Sequence, residues 1–192
     1  QALMVERLLD AVAALQHFGQ TTFPAEAAAT RKTAARMLTV LSDRYGHAEG
    51  TFPAVNDSIM GFAPSLEQLR LYAAAVDNTV TDTPSPAART GGPDYSYSVF
   101  PAGPFRVFFD AEPIGPDHVP GHAHADTLQL LLWLDGKPVL VDTGCSVYEA
   151  GARRSLERST AAHNTVALLD LFGRPIDSSE VWSSFRVGRR AR

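Results

Sequence analysis

The chain has 192 residues, 45% of them hydrophobic, with one cysteine and a formal charge of -4 from 17 Lys+Arg against 21 Asp+Glu. That apolar content supports a buried core of one domain or two small ones and excludes a disordered chain. The acidic balance argues against a nucleic-acid partner, no apolar run approaches the roughly 20 residues of a membrane span, and the lone Cys145 excludes an intrachain disulfide.

The sequence starts at Gln1 without a basic and then apolar leader, so any export signal would have to lie upstream, and the chain reads as a fragment. Met4, Leu8, Val12 and Leu15 recur at helical spacing and predict a helix over 2–16, ending near Gly19. Thr22 as cap and Pro24 in the first turn predict a second helix running to Tyr45, with Gly46 as its stop. In "SLEQLRLYAAAV" Ser65 and Gln68 form a capping box ahead of a third helix, whose apolar face carries Leu66, Leu69 and Ala73. "DNTVTDTPSPAARTGGPD" has no hydrophobic period and reads as a linker. The expected division is therefore a helical segment over 1–78, a linker over 79–94 and a β domain over 95–192.

Beyond the linker the period changes to two. "YSYSVF", "PAG" and "FRVFFD" predict a hairpin over 95–110, and "AEPIGPDHVPG" is loop. Asp135-Gly136 joins "LQLLLWL" to "KPVLVDTG" as a second hairpin, and further strands are expected at "NTVALLD" and "VWSSFRV". The fold class is thus α+β, with an antiparallel sandwich favoured for the second half.

The chemistry concentrates in "GHAHAD". On a strand His122 and His124 would face the same way and could present two imidazoles to a metal or substrate. The stretch also resembles the H-x-H-x-D-H signature of metallo-β-lactamase-like hydrolases, but Thr127 stands where the last histidine belongs. Amidohydrolases use H-x-H too, within a barrel of alternating strands and helices that this sequence lacks. A second cluster, "RRSLERSTAAHNTV", sets three arginines ahead of His163 and Asn164.

Taken together, "GHAHAD", "GKPVLVDTG" and "RSTAAHNTV" resemble the heparinase II/III-like polysaccharide lyases, which include alginate and oligoalginate lyases. The resemblance is closest over 92–175 and extends more loosely to "TFPAVNDSIMGFAPSLEQLRLYA". It implies the closing helices of an α/α toroid followed by an antiparallel β-sandwich, with a cleft between them. It implies zinc bound by His124, Asp142 and His163, mainly as a structural ion, with a catalytic-cleft histidine at His122 and a cleft tyrosine at Tyr148. The implied reaction is β-elimination on an acidic, uronate-containing polysaccharide in a periplasmic or secreted setting. Arg154, Arg158 and Asn164 are the expected substrate-binding residues, with Arg153 adding charge; surface pairing of the arginines with Glu149 and Glu157 is the alternative. The family's remaining essential groups, an Asn or His and a Tyr on earlier helices, have no match within residues 1–50, so a complete catalytic set is not expected in this chain. An inactive, zinc-stabilised glycan-binding module of the same fold is the second reading.

Register poses a difficulty for the metal set. With a two-residue turn at Asp135-Gly136, Asp142 falls opposite Gln129 and His124 lies about 16 Å further along the strand. A bulge or bend near Ala125 and Asp126, or binding across sheets, is required, and Asp126 is a rival ligand or an orienting acceptor. His17, His47 and His118 read as surface or loop residues, although His47 beside Glu49 is a possible cleft pair. Cys145 reads as a buried thiol, and Asn56-Asp57-Ser58 reads first as a turn or cap, with a cleft role as the alternative that the resemblance leaves open.

Overall fold

The computed structural model describes residues 2–18, 22–45, 52–83, 97–111, 113–115, 118 and 120–188. Gly19, Gly46, His47, Glu49, the linker from 84 to 94, Tyr95 and Ser96 lie outside the described residues. Two compact units emerge, one formed by Gln1–Phe52 with Ala63–Arg89 and the other by Pro53–Phe62 with Thr90–Arg192. The mixture of helices and antiparallel sheet is that of an α+β chain. No described helix is long and apolar enough to cross a membrane.

In the first unit, helix α1 (Ala2–Phe18) buries Ala2, Val5, Leu9 and Val12. Met4, expected on that face, is 56% exposed. Because Leu8 and Leu9 are both apolar, helical spacing alone fits either of two neighbouring stripes, and packing selects the one through Val5 and Leu9. Helix α2 (Pro24–Tyr45) begins at the proline, whose fixed φ and missing N–H suit a first turn. It buries Ala27, Ala34, Leu38 and Leu41.

Helix α3 (Leu66–Val76) carries both bonds of the capping box: Gln68 N donates to Ser65 Oγ at 3.2 Å and Ser65 N to Gln68 Oε1 at 2.8 Å. Its C-cap, Asp77, accepts from Gln16 of α1 at 2.7 Å and from Arg31 of α2 at 2.6 Å. One carboxylate thereby ties all three helices.

The second unit is built on a four-stranded antiparallel meander of β1 (Ser98–Ala102), β2 (Phe105–Phe109), β3 (Leu130–Leu134) and β4 (Lys137–Leu140), in that order. Phe108 faces Leu131 across β2 and β3, and both are buried. At the β3–β4 turn Asp135 and Gly136 have φ of 49° and 81°, the left-handed pair that a type I′ hairpin demands.

Trp133 pairs with Pro138 but Leu132 with Leu140, leaving Val139 as an extra residue on β4. Past the strands come helix α4 (Ala152–Arg158), a single 3₁₀ turn (Thr160–Ala162) and two minimal hairpins. These are β5 (Leu168–Leu169) with β6 (Pro175–Ile176), and β7 (Val181–Trp182) with β8 (Arg186–Val187). "VWSSFRV" is therefore a hairpin rather than one strand, turning where Ser183 takes a φ of 53°.

Candidate functional site

The site lies within the second unit and is organised by a turn at Asn56-Asp57. Asn56 takes a φ of 52°, and Ser58 N closes the turn on Val55 O at 3.1 Å. The turn is fixed to the β residues by Cys145 N donating to Ser58 O at 3.0 Å and His124 N donating to Asn56 Oδ1 at 3.1 Å. Asp57 is thereby aimed at three cations or potential cations. His122 Nδ1 lies 2.9 Å from Oδ2, His124 Nε2 lies 2.9 Å from Oδ1, and Arg154 forms a two-pronged ion pair with both oxygens. Burial alone would raise the Asp57 pKa, but hydrogen bonds from His124, Arg154 and His122 outweigh it and hold the carboxyl well below its usual range.

On the outer side of Asp57 stand exposed groups. The His122 side chain is 69% exposed, and its ring meets the Phe185 ring edge-on at 5.5 Å. Tyr148 stacks against Phe185 at 5.8 Å and donates its hydroxyl to Asp57 O at 3.0 Å. The Arg154 guanidinium lies against both aromatic rings. Burial, with Cys145 and Asp57 nearby, raises the Tyr148 pKa, so its hydroxyl stays a neutral donor. A cavity of about 180 Å³ opens beside His122, lined by Asn56, Tyr97, Asp110 and Asp126 among others.

On the inner side the groups are enclosed: His124, Asp126, Asp142 and His163 are all buried. Asp142 accepts Gly144 N at 2.6 Å on one oxygen, and its other oxygen lies 2.8 Å from His163 Nδ1. Asp126, Asp142 and His163 each offer a ligand atom within 4.8 Å of the others, and the His124 ring is centred 5.3 Å from that of His163. His124 Nδ1, Asp126 Oδ2, His163 Nε2 and both amide atoms of Gln129 are buried without a hydrogen-bond partner. Such orphaned donors and acceptors are costly unless something else satisfies them. Two carboxylates and one imidazole converge here, with the His124 ring beside them, and that donor set fits a divalent ion.

The distance problem posed by the sequence has a local solution. Residues 121–129 are not strand; the chain bends at Ala125 and turns at Thr127-Leu128, with Gln129 N bonded to Asp126 O and Leu128 at a φ of 67°. His122 and His124 therefore do not share a strand face: one is exposed and the other is 0% exposed. They converge on opposite oxygens of one carboxylate instead.

A family model described as Heparinase II/III-like, C-terminal, matches residues 84–192. The chain belongs to the heparinase II/III-like family. No curated protein sequence matches it. Among solved structures it is similar to a mutant heparan sulfate lyase HepC from Pedobacter heparinus, with 18% identity, a TM-score of 0.57, and coverage of 93% of this chain and 30% of that one. A heparinase III is similar at 14% identity and TM-score 0.50, covering 92% of this chain and 32% of that one. A heparinase III gene product with methylated lysines shows 17% identity and TM-score 0.50 over 95% and 31%. At these identities the likeness is one of fold, and the chain spans about a third of each relative's length.

In this heparinase II/III-like chain the expected substrate-binding arginines are enclosed. Arg154 and Arg158 are both 0% exposed. Besides Asp57, Arg154 donates to Ser184 O, while Arg158 donates to the carbonyls of Ala123, Trp182, Ser184 and Arg186. Surface pairing is seen for Arg153, whose Nε lies 3.0 Å from Glu157 Oε1. Asn164 donates to Val141 O at 2.8 Å, and its own carbonyl accepts from Leu130 N, so it braces the entry to β3. Cys145 is buried, its thiol pKa raised by burial and by Asp57.

Sequence reasoning missed Phe185 as a site member and set a cleft role for Asp57 behind a turn or cap. Asp57 carries no local signal, since His122 is 65 positions away and Arg154 97.

Proposed function

We propose that this chain supplies the β-domain share of the cleft of a polysaccharide lyase, which cleaves a uronic-acid-containing glycan by β-elimination. The observation that carries this reading is the exposed pair His122 and Tyr148 above Asp57. It is supported by a family whose solved relatives bear the names heparan sulfate lyase and heparinase III. In the reaction His122 takes the proton from C5, the C–H electron pair becomes the C4–C5 double bond, and the C4–O bond breaks. In this reading the neutral Tyr148 hydroxyl exchanges its bond to Asp57 O for the departing C4 oxygen and gives it the proton it needs. The remaining cleft groups come from toroid helices of the longer protein, and the helical unit here belongs to that toroid, ahead of a β-sandwich.

Zinc would be held by His124, Asp142 and His163, with Asp126 as an added carboxylate, and would supply the charge that locks these side chains together as a structural centre. Arg154 and Arg158 serve the anionic sugar indirectly, by fixing Asp57 and the carbonyls beneath His122, and Asn164 supports the same frame. The acidic glycan implies a periplasmic or secreted setting.

The test is to supply, in the same polypeptide, the toroid helices that this reading places outside the chain, to incubate that protein with heparan sulfate and with alginate, and to follow the ultraviolet absorbance of the new conjugated double bond. Absorbance that His122→Ala abolishes upholds the reading. Glycan binding by calorimetry without any absorbance favours the second one, an inactive zinc-stabilised binding module.

A further inference from the structure

Asp57 has two oxygens and four donors around them: His124 Nε2 and Arg154 on Oδ1, His122 Nδ1 and Arg154 on Oδ2. That saturates the roughly four lone-pair sites of a carboxylate. The buried guanidinium, itself fixed by Ser184 O at 3.0 Å, keeps the group ionised, and an ionised carboxylate only accepts. A ring nitrogen 2.9 Å away must therefore carry the hydrogen, since the alternative sets lone pair against lone pair.

We infer that Asp57 is a positioning residue that sets the tautomers of both histidines, and sets them oppositely. His122 is protonated on Nδ1, which leaves Nε2 as the ring nitrogen free of Asp57; His124 is protonated on Nε2, which leaves its buried Nδ1 as an acceptor. The role rests on the lyase reading for its purpose, but its geometry does not.

Two independent observations agree with this assignment. His124 Nδ1 is buried with no hydrogen-bond partner, as a nitrogen kept free for another acceptor-seeking group would be. The His122 side chain is 69% exposed although its Nδ1 is engaged, which leaves the opposite edge of the ring to solvent. A tautomer is chosen by the hydrogen bond that the other nitrogen makes. Here a single carboxylate makes the choice for a surface imidazole and for a buried one. Arg154 neutralises the carboxylate, so the dyad does not add a net negative charge beneath a site meant for an anionic sugar.

The experiment is a long-range 1H–15N correlation spectrum of the uniformly 15N-labelled full chain, with His122 and His124 assigned by the signals lost in His122→Ala and His124→Ala. The expected result is the Nδ1–H pattern for His122 and the Nε2–H pattern for His124, and a switch of His122 to the Nε2–H form usual for a free imidazole in Asp57→Asn. His122 in the Nε2–H form in the unaltered protein overturns the inference, even if Asp57→Asn does not fold. The tautomers are read without turnover: opposite tautomers with no elimination once the toroid helices are supplied would sink the lyase reading alone, and elimination there with His122 in the Nε2–H form would sink the role of Asp57 alone.

Discussion

Asp57 and Arg154, 97 positions apart, form a two-pronged ion pair whose guanidinium has no solvent exposure. Removing one partner of such a pair strands a charge in a dry interior, typically at a cost of about 3–5 kcal/mol. Arg154→Ala should lower the unfolding free energy by that amount in urea titrations. Arg154→Lys should recover little, because a single ammonium cannot meet both carboxylate oxygens and Ser184 O together. A loss below about 1 kcal/mol for the alanine variant would show the pair to be no better than an exposed one.

The enclosed cluster predicts a bound ion. After dialysis against metal-free buffer, mass spectrometry should find about one zinc per chain, lost in His163→Ala, and added chelator should lower the melting temperature of the unaltered protein only. Absence of retained metal together with an unchanged melting temperature on adding zinc would remove the centre.

Gly144 and Gly103 share a φ of 62° but not their surroundings. A Cβ on Gly103 meets nothing within 4 Å, whereas one on Gly144 collides with Ser58 O and stands 2.9 Å from Ala54 Cβ. Gly103→Ala should cost only the left-handed backbone penalty, about 1–2 kcal/mol. Gly144→Ala should add about 1–3 kcal/mol of overpacking and displace the turn that carries Asp57. Equal costs in guanidinium titrations would contradict the close approach of the two backbones.

Asp77 predicts an acid limb for the helical unit. Hydrogen bonds from the Thr79 hydroxyl and amide, with Arg31, hold its pKa at about 2 against an ordinary 3.8. Between those values the unfolded chain binds the extra proton, so the stabilisation is complete above pH 3.8 and is lost as pH falls through about 2. The stability gap between the unaltered protein and Asp77→Asn should therefore be constant near neutrality and shrink across that window. A gap independent of pH would leave the carboxylate charge without a role.

What could be read from the sequence was local. The capping box of Ser65 and Gln68 and the Asp135-Gly136 turn are each written within four residues, and the structure contains both. The buried face of α1 was displaced by one residue because Leu8 and Leu9 offer two equally apolar stripes. The bulge at Val139 has no composition of its own, and α4 is only seven residues long, too short to show a period. The residue types gathered in "GHAHAD" and at Asp142 and His163 announced a polar centre. What joins it to the surface, the Asp57 carboxylate, is set by contacts across 65 to 97 positions that no spacing rule reaches.

The segment Pro53–Phe62 follows one helix and precedes another along the chain, yet folds with the sheet. The stretch recognised by the family model begins only at residue 84. A protein trimmed to the recognised stretch would keep His122, His124 and Arg154 but lose Asp57, leaving an interior guanidinium with no counter-ion. The helical and β halves are thus not interchangeable cassettes: a donor β half grafted behind foreign helices must bring with it ten residues that lie on the far side of the junction.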